Sequence, residues 1–189
     1  MNNAVIFIDG EYVRKIFQKL GCRVNLPSLI TKILELSKID ENDLLRVYYY
    51  SSPPYQGSNP TKDEKDRYRA YQKFLDFLQK QDNFEIKLGR VERRGAEFEQ
   101  KMVDVLLSID LVELSAKAKI NTAILIAGDS DFVPALKKAK DNGVKAILFC
   151  SSNKNEYHQH LWNEADKRIF IDKKVINDCK YGPDKNKKR

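Results

Sequence analysis

The most constraining feature of this sequence is where its most apolar stretches stop. Segment 122–133, TAILIAGDSDFV, runs through small and branched apolar residues and breaks off at Gly128, Asp129, Ser130 and Asp131. A run that short and that sharply bounded reads as a strand buried on both faces, the form strands take in parallel sheets covered by helices. A second run of the same kind, residues 4–8, ends on Asp9, Gly10 and Glu11. Ligands of open parallel sheets gather beyond the carboxyl ends of the strands. If these two strands are neighbours, at least three carboxylates converge on one spot. Like charges that close raise one another's pKa unless a cation neutralises them, so the expected occupant is a divalent metal.

The remaining elements alternate. Residues 11–20 carry Val13, Ile16, Phe17 and Leu20 on one helical face and end at Gly21. Asn25-Leu26-Pro27 opens a second helix, and 44–51, LLRVYYYS, is a strand closed by Pro53-Pro54. Thr61 and Glu64 form a capping-box pattern at the head of a helix over 61–81. A strand over 84–91 is followed by a charged loop, 92–100, around Gly95. Residues 101–117, KMVDVLLSIDLVELSAK, are apolar nearly all round and predict a buried helix carrying Asp104. A carboxylate buried there needs a partner. Asp110 lies about 240° further around the same helix, so the two do not share a face. A helix over 132–141, a strand over 144–150, a last helix from the cap at Ser151-Ser152-Asn153 to about Asp166, and a strand at 168–171 complete the pattern. Strand alternating with helix predicts a three-layer α/β/α fold with a mostly parallel central sheet.

With 189 residues the chain is long enough for one domain with a sizeable core; we place its body at 1–175 and a basic tail at 176–189. No apolar run approaches the ~20 residues of a membrane span, and the N-terminus has no basic leader, so a cytoplasmic location is expected. Cys22, Cys150 and Cys179 are widely spaced and read as reduced thiols. Four of the seven excess positive charges sit in the last ten residues, where Lys180, Lys185, Lys187, Lys188 and Arg189 face only Asp184. Such tails bind nucleic acid without sequence preference and serve equally as solubilising ends.

Asp9, Asp104, Asp129 and Asp131 are therefore the candidate metal ligands and catalytic residues. Capping alone would account for Asp9, Asp129 and Asp131 one at a time; the combination with Asp104 favours a site. Hard oxygen ligands suit Mg²⁺ or Mn²⁺, which accept one or two carboxylates plus a substrate phosphate. The implied chemistry is metal-assisted phosphodiester hydrolysis. Arg90, Arg93 and Arg94, with Lys101 close behind, are candidates to grip the phosphate backbone, and Ser130 is a further candidate contact. Tyr48, Tyr49 and Tyr50 offer a stacking surface, although on a strand at least one faces the core. His158 and His160, two apart on the predicted last helix, fall on different faces and do not share a metal.

The stretches FIDGEY, KMVDVLLSIDL, AGDSDFVPALKKAKDNG and FCSSNKNEYHQHLWNEADKRIFID together resemble the NYN family, PIN-like ribonuclease domains that include the LabA/DUF88 group. The resemblance covers about residues 4–172. It implies a Rossmann-like, PIN-like sheet and a metal-dependent endoribonuclease, with Asp9, Asp104, Asp129 and Asp131 at the family's acidic positions and Lys101 at its lysine ahead of the helix aspartate. One position departs: the family commonly has asparagine where this chain has Tyr12, and a tyrosine there offers a ring to stack on a base. RNA is the implied partner, and a homodimer is open. Two rivals stand beside this reading. A HAD-like phosphatase would need Asp9 as nucleophile and Glu11 as its acid, and gives Asp104 no role. A non-catalytic RNA-binding adaptor would carry a vestigial acidic site, with Tyr12 as its signature.

Overall fold

The structure, a computed structural model, describes residues 3–94 and 97–181, with the side chains of 92–100 left aside. Gly95 and the tail from Gly182 onward lie outside the described residues. The chain runs β1 (Ala4–Asp9), α1 (Gly10–Lys19), α2 (Leu26–Ser37), β2 (Leu44–Ser51), α3 (Lys62–Gln79) and β3 (Phe84–Leu88). It continues through β4 (Arg90–Arg94), β5 (Glu97–Lys101), α4 (Val103–Ala116), β6 (Thr122–Ile126) and α5 (Val133–Asp141). It ends with β7 (Lys145–Ser151), α6 (Gln159–Glu164), β8 (Lys167–Ile171) and α7 (Lys173–Asp178).

Six strands form one sheet in the order β3-β2-β1-β6-β7-β8, every adjacent pair parallel. Alternate residues of a strand point to opposite faces, so each strand feeds two cores. Ile6, Ile8, Val47, Ile124 and Ile126 meet α1, α2, α3 and α7 on one face. Val5, Phe7, Ala123, Leu125 and Leu148 meet α4, α5 and α6 on the other. The expected three-layer α/β/α fold with a mostly parallel sheet is therefore the one observed. From β1 the chain steps outward to β2 and β3, then returns to lay β6 on the other side of β1 and steps outward again. The reversal leaves a crevice at the carboxyl ends of β1 and β6, where ligands of such sheets bind.

Local signals hold where they are chemical. Asn25 caps α2 by accepting the Ser28 N–H at 3.3 Å. Thr61 and Glu64 exchange both bonds of the capping box, at 2.9 and 3.2 Å.

Four expectations change. The third strand stops at Leu88, and the charged segment 92–100 is no loop: β4 and β5 pair antiparallel, Arg90 opposite Lys101. Lys101 therefore ends a strand, and Met102, at φ 73°, turns the chain into α4. Nor is α4 buried all round. Its inner face is Val103, Leu107 and Leu111, while Met102, Val105 and Ile109 are 48, 57 and 54% exposed. The helix predicted over 151–166 is broken into a 3₁₀ turn, Lys154–Glu156, and the short α6. A terminal helix not foreseen, α7, starts at Asp172, which accepts the Val175 N–H, and packs Val175 and Ile176 into the first core.

Candidate active site

Asp9 closes β1 and caps α1, accepting the Tyr12 N–H at 3.0 Å. Asp129 lies just past the end of β6 and caps the 3₁₀ turn Ser130–Phe132, accepting the Asp131 N–H at 3.0 Å with Ser130 Oγ 3.5 Å away. The same turn that frees the chain from the strand thus aims its carboxylate beyond the sheet. Asp104 sits in the first turn of α4, which begins at this end of the molecule. It is solvent-exposed, not buried as its apolar neighbours suggest. Asp110 points elsewhere: it accepts the Tyr50 hydroxyl at 2.8 Å and stands 3.8 Å from Lys87.

The four candidate carboxylates form one electrostatic group. Burial pushes the Asp9 carboxyl up to about 6 against the Tyr12 N–H, and the charge of Asp104 adds to the rise. Asp104 is itself raised, first by the protein that displaces its water and then by Asp129 and Asp131. Among the described residues no three Asp, Glu, His or Cys side chains close into a ready metal cage. The donor set still fits Mg²⁺ or Mn²⁺, which keep several waters and take only one or two carboxylates.

The carboxylates stand between two depressions. A cavity of about 380 Å³ is lined by Asp9, Asp129, Tyr12, Ser130 and the segment around Asn155 and His158. A groove of about 650 Å³ between α4 and α5 is lined by Asp104, Asp131, Val105, Ile109, Val112 and Pro134. Tyr12 is pinned at the first: the Ser151 N–H donates to its hydroxyl at 3.0 Å, and its ring covers Gly128. A Cβ on Gly128 would lie 2.3 Å from that ring and 2.4 Å from the Glu156 carbonyl, so no side chain fits there.

The basic candidates all belong to the β4/β5 hairpin. Arg90 is exposed at the base of the hairpin, opposite Lys101 in register, and Arg93 and Arg94 continue β4. The side chains of Arg93 and Arg94 fall outside the described residues. Of the three tyrosines, Tyr49 and Tyr50 are buried and Tyr48 stacks on Phe7 at 5.8 Å. The histidine rings, expected on different faces, lie 5.1 Å apart edge to face, because α6 begins only after His158.

Asn155, Glu156 and His158 were not foreseen as part of this wall. The available signal was positional: Ser151-Ser152-Asn153 follows β7, so it sits at the carboxyl edge of the strand beside β6. Glu156 ties the wall in place through Lys19 at 2.6 Å and Ser151 Oγ at 2.5 Å. The His158 N–H donates to the Gly128 carbonyl at 2.8 Å.

A parallel three-layer sheet with coupled carboxylates beside its topological switch point defines the class: a Rossmann-like α/β protein. Residues 3–172 match the NYN domain, and the chain belongs to that family of PIN-like nucleases. It is 41% identical over 46 residues to the uncharacterized protein MJ0482 of Methanocaldococcus jannaschii, a match spanning 24% of this chain and 19% of that protein. It is 29% identical over 96 residues to the uncharacterized protein y4oD of Sinorhizobium fredii, spanning 50% of this chain and 44% of that protein. The matched stretches thus cover less than half the length of either relative. A crystal structure of a protein of unknown function from Vibrio parahaemolyticus, VPA0982, has the same fold, with a TM-score of 0.64 at 17% identity over 95% of this chain and 96% of the other.

Proposed function

We propose that the protein is a metal-dependent endoribonuclease. The observation that carries the reading is the mutual electrostatic coupling of Asp9, Asp104, Asp129 and Asp131 beside the switch point, which raises the carboxyls of Asp9 and Asp104. Asp9 and Asp129, fixed by their capping bonds, would hold a Mg²⁺ or Mn²⁺ ion, with Asp104 and Asp131 on the side of the α4/α5 groove. When bound, such an ion activates water and stabilises the charge that builds on phosphorus. The protein's own part is positioning. A capping bond restrains each of two carboxylates, and Ser130 lines the cavity where a phosphate oxygen would pass. Arg90 and Lys101, opposite one another at the root of the β4/β5 hairpin, would contact the RNA backbone, with Arg93 and Arg94 further candidates in the same strand as Arg90.

The phosphatase alternative loses ground at Glu11. Its carboxylate is held by Arg14 at 2.6 Å and faces Lys15 at 3.6 Å, which together outweigh burial and keep its pKa low. The adaptor alternative keeps one observation: the Tyr12 hydroxyl is already committed to Ser151, so Tyr12 does not supply the free amide that asparagine would place there. Incubating a single-stranded RNA with the protein in Mn²⁺ decides between them. Cleavage abolished by EDTA and by Asp129→Asn, with RNA binding retained, supports the nuclease. Binding without cleavage by the unaltered protein supports the adaptor, and cleavage that survives Asp129→Asn removes the acidic site as its source.

A further inference from the structure

Tyr12 touches three neighbouring strand ends at the acidic centre. It is the third residue of α1, and its N–H donates to the Asp9 carboxylate at 3.0 Å. That contact belongs to the backbone, and any residue but proline can make it. The side chain makes two further contacts of its own. Its ring lies over Gly128, the residue immediately before Asp129, so closely that no Cβ fits between them. Beyond the ring, its hydroxyl accepts the Ser151 N–H at 3.0 Å, at the end of β7. Because β1, β6 and β7 are consecutive in the sheet, this one residue spans from Asp9 across the end of β6 to the next strand.

Gly128 meets a second wall as well. The His158 N–H donates to its carbonyl at 2.8 Å, and a Cβ there would stand 2.4 Å from the Glu156 carbonyl. The peptide that leads into Asp129 is therefore held by the Tyr12 ring and segment 156–158 together. Asp129 in turn accepts the Asp131 N–H at 3.0 Å, which orients its carboxylate. The Asp9 carboxylate and the Asp129 backbone are thus both referred to Tyr12, whose ring packs against both hydrophobic cores. A side chain in a close-packed surround transmits strain instead of absorbing it. Asparagine, the family's common residue here, ends at the atoms on Cγ and is too short to cover Gly128 and reach Ser151 at once.

We propose that the Tyr12 side chain is the positioning residue of the acidic centre: through Gly128 and Ser151 it sets the place of Asp129 relative to Asp9 so that the two carboxylates can share one cation, an assignment that rests on the metal-dependent reading of the site. Tyr12 does not ligate the ion in this role. Mg²⁺ and Mn²⁺ bind carboxylates at short, fixed distances, so a displaced Asp129 loses affinity. Removing an outer group that orients a metal ligand typically costs about 10–100-fold in metal affinity.

Tyr12→Phe keeps the ring over Gly128 and removes the acceptor of the Ser151 N–H, while Tyr12→Asn removes the ring as well. Two measurements separate positioning from folding. In the metal-free protein, amide exchange followed by NMR should quicken in Tyr12→Phe at Asp131, whose N–H reports the Asp129 carboxylate, by about tenfold, the size of one hydrogen bond. Exchange at Leu125, inside β6, should stay as it is. In Mn²⁺ titrations followed by electron paramagnetic resonance, Tyr12→Phe should bind about tenfold more weakly, and Tyr12→Asn more weakly again. Leu29→Ala, at a fully buried position of α2 that lines neither depression, is the control: it should lower the melting temperature and leave Mn²⁺ affinity unchanged. Unaltered exchange at Asp131 in Tyr12→Phe, an equal loss of Mn²⁺ affinity in Leu29→Ala, or Mn²⁺ binding by Tyr12→Asn as tight as that of the unaltered protein overturns the proposal. The two readings fail separately. Affinity lost in Asp129→Asn but unchanged in Tyr12→Phe leaves the metal site and removes Tyr12 as its brace, whereas Mn²⁺ binding that is absent from the unaltered protein, or that survives Asp129→Asn, overturns both.

Discussion

Asp9 holds α1 in place through the Tyr12 N–H while keeping its charge recessed beside Asp104, and the two roles oppose one another in the metal-free protein. Its pKa is about 6 in the fold against 3.8 as the ordinary value, so between those pH values the folded protein keeps a proton that the unfolded chain has released. Stability from this group is present at acid pH and is lost as the pH rises towards 6. Urea denaturation in EDTA should show the unaltered protein losing about 1–2 kcal/mol from this source between pH 4.5 and 7. Asp9→Asn keeps the cap, since asparagine caps as well as aspartate, and should remove that part of the pH dependence. It should also leave the metal-free protein more stable at pH 7 than the unaltered one, and Mn²⁺ should stabilise the unaltered protein at that pH and the variant far less. Gly128 makes a second, opposite case. Alanine there meets the Tyr12 ring and the Glu156 carbonyl, so Gly128→Ala should lower stability by about 2 kcal/mol, within the range of overpacked sites, and thermal unfolding measures it.

At the scale of elements, α4 shows that an apolar sequence does not imply a buried helix. Val103, Leu107 and Leu111 face the core, whereas Val105 and Ile109 line an open groove. Leu107→Ala should cost about 2–5 kcal/mol. Ile109→Ser should cost under about 0.5 kcal/mol, as exposed substitutions do. Chemical denaturation of both variants separates the two faces, and a large loss at Ile109 would mean that the groove is covered in solution. The broken last helix has a specific cause. The His158 N–H is spent on the Gly128 carbonyl, so the chain cannot continue a helix through that position and instead forms the wall of the cavity. The β4/β5 hairpin was legible only as a charged segment, because a run such as ERRGAEFEQ has no apolar alternation to mark its strands.

Across the whole molecule, charge and topology act separately. Residues 182–189 carry four basic side chains against Asp184, three of the seven excess positive charges. The described chain is tied down before them, the Tyr181 N–H donating to the Arg23 carbonyl at 2.9 Å. Truncation after Tyr181 should leave the melting temperature unchanged. It should weaken single-stranded RNA binding and flatten the slope of log K against log salt by about 2, from about 0.7 per neutralised phosphate over the three net charges removed; a salt titration of both forms measures it.

The sequence by itself determined the six strands of the sheet, most of the helices between them and the carboxylates at the strand ends. Those features are local: an apolar run, a cap or a strand-end aspartate is written in consecutive residues. Asp9, Asp129 and Asp131 stood out as candidates for that reason, Asp104 stood out as a charge in an apolar helix, and the resemblance to the family matched all four positions. Only the tertiary structure decided that β1 lies between β2 and β6, which brings Asp9 and Asp129 to one crevice, because strand order is set by packing between residues far apart in the chain. It alone decided that Asp104 is exposed, since burial belongs to the neighbours and not to the residue. It also brought residues 155–158 to the site, through hydrogen bonds to Lys19, Ser151 and Gly128 that no local pattern records.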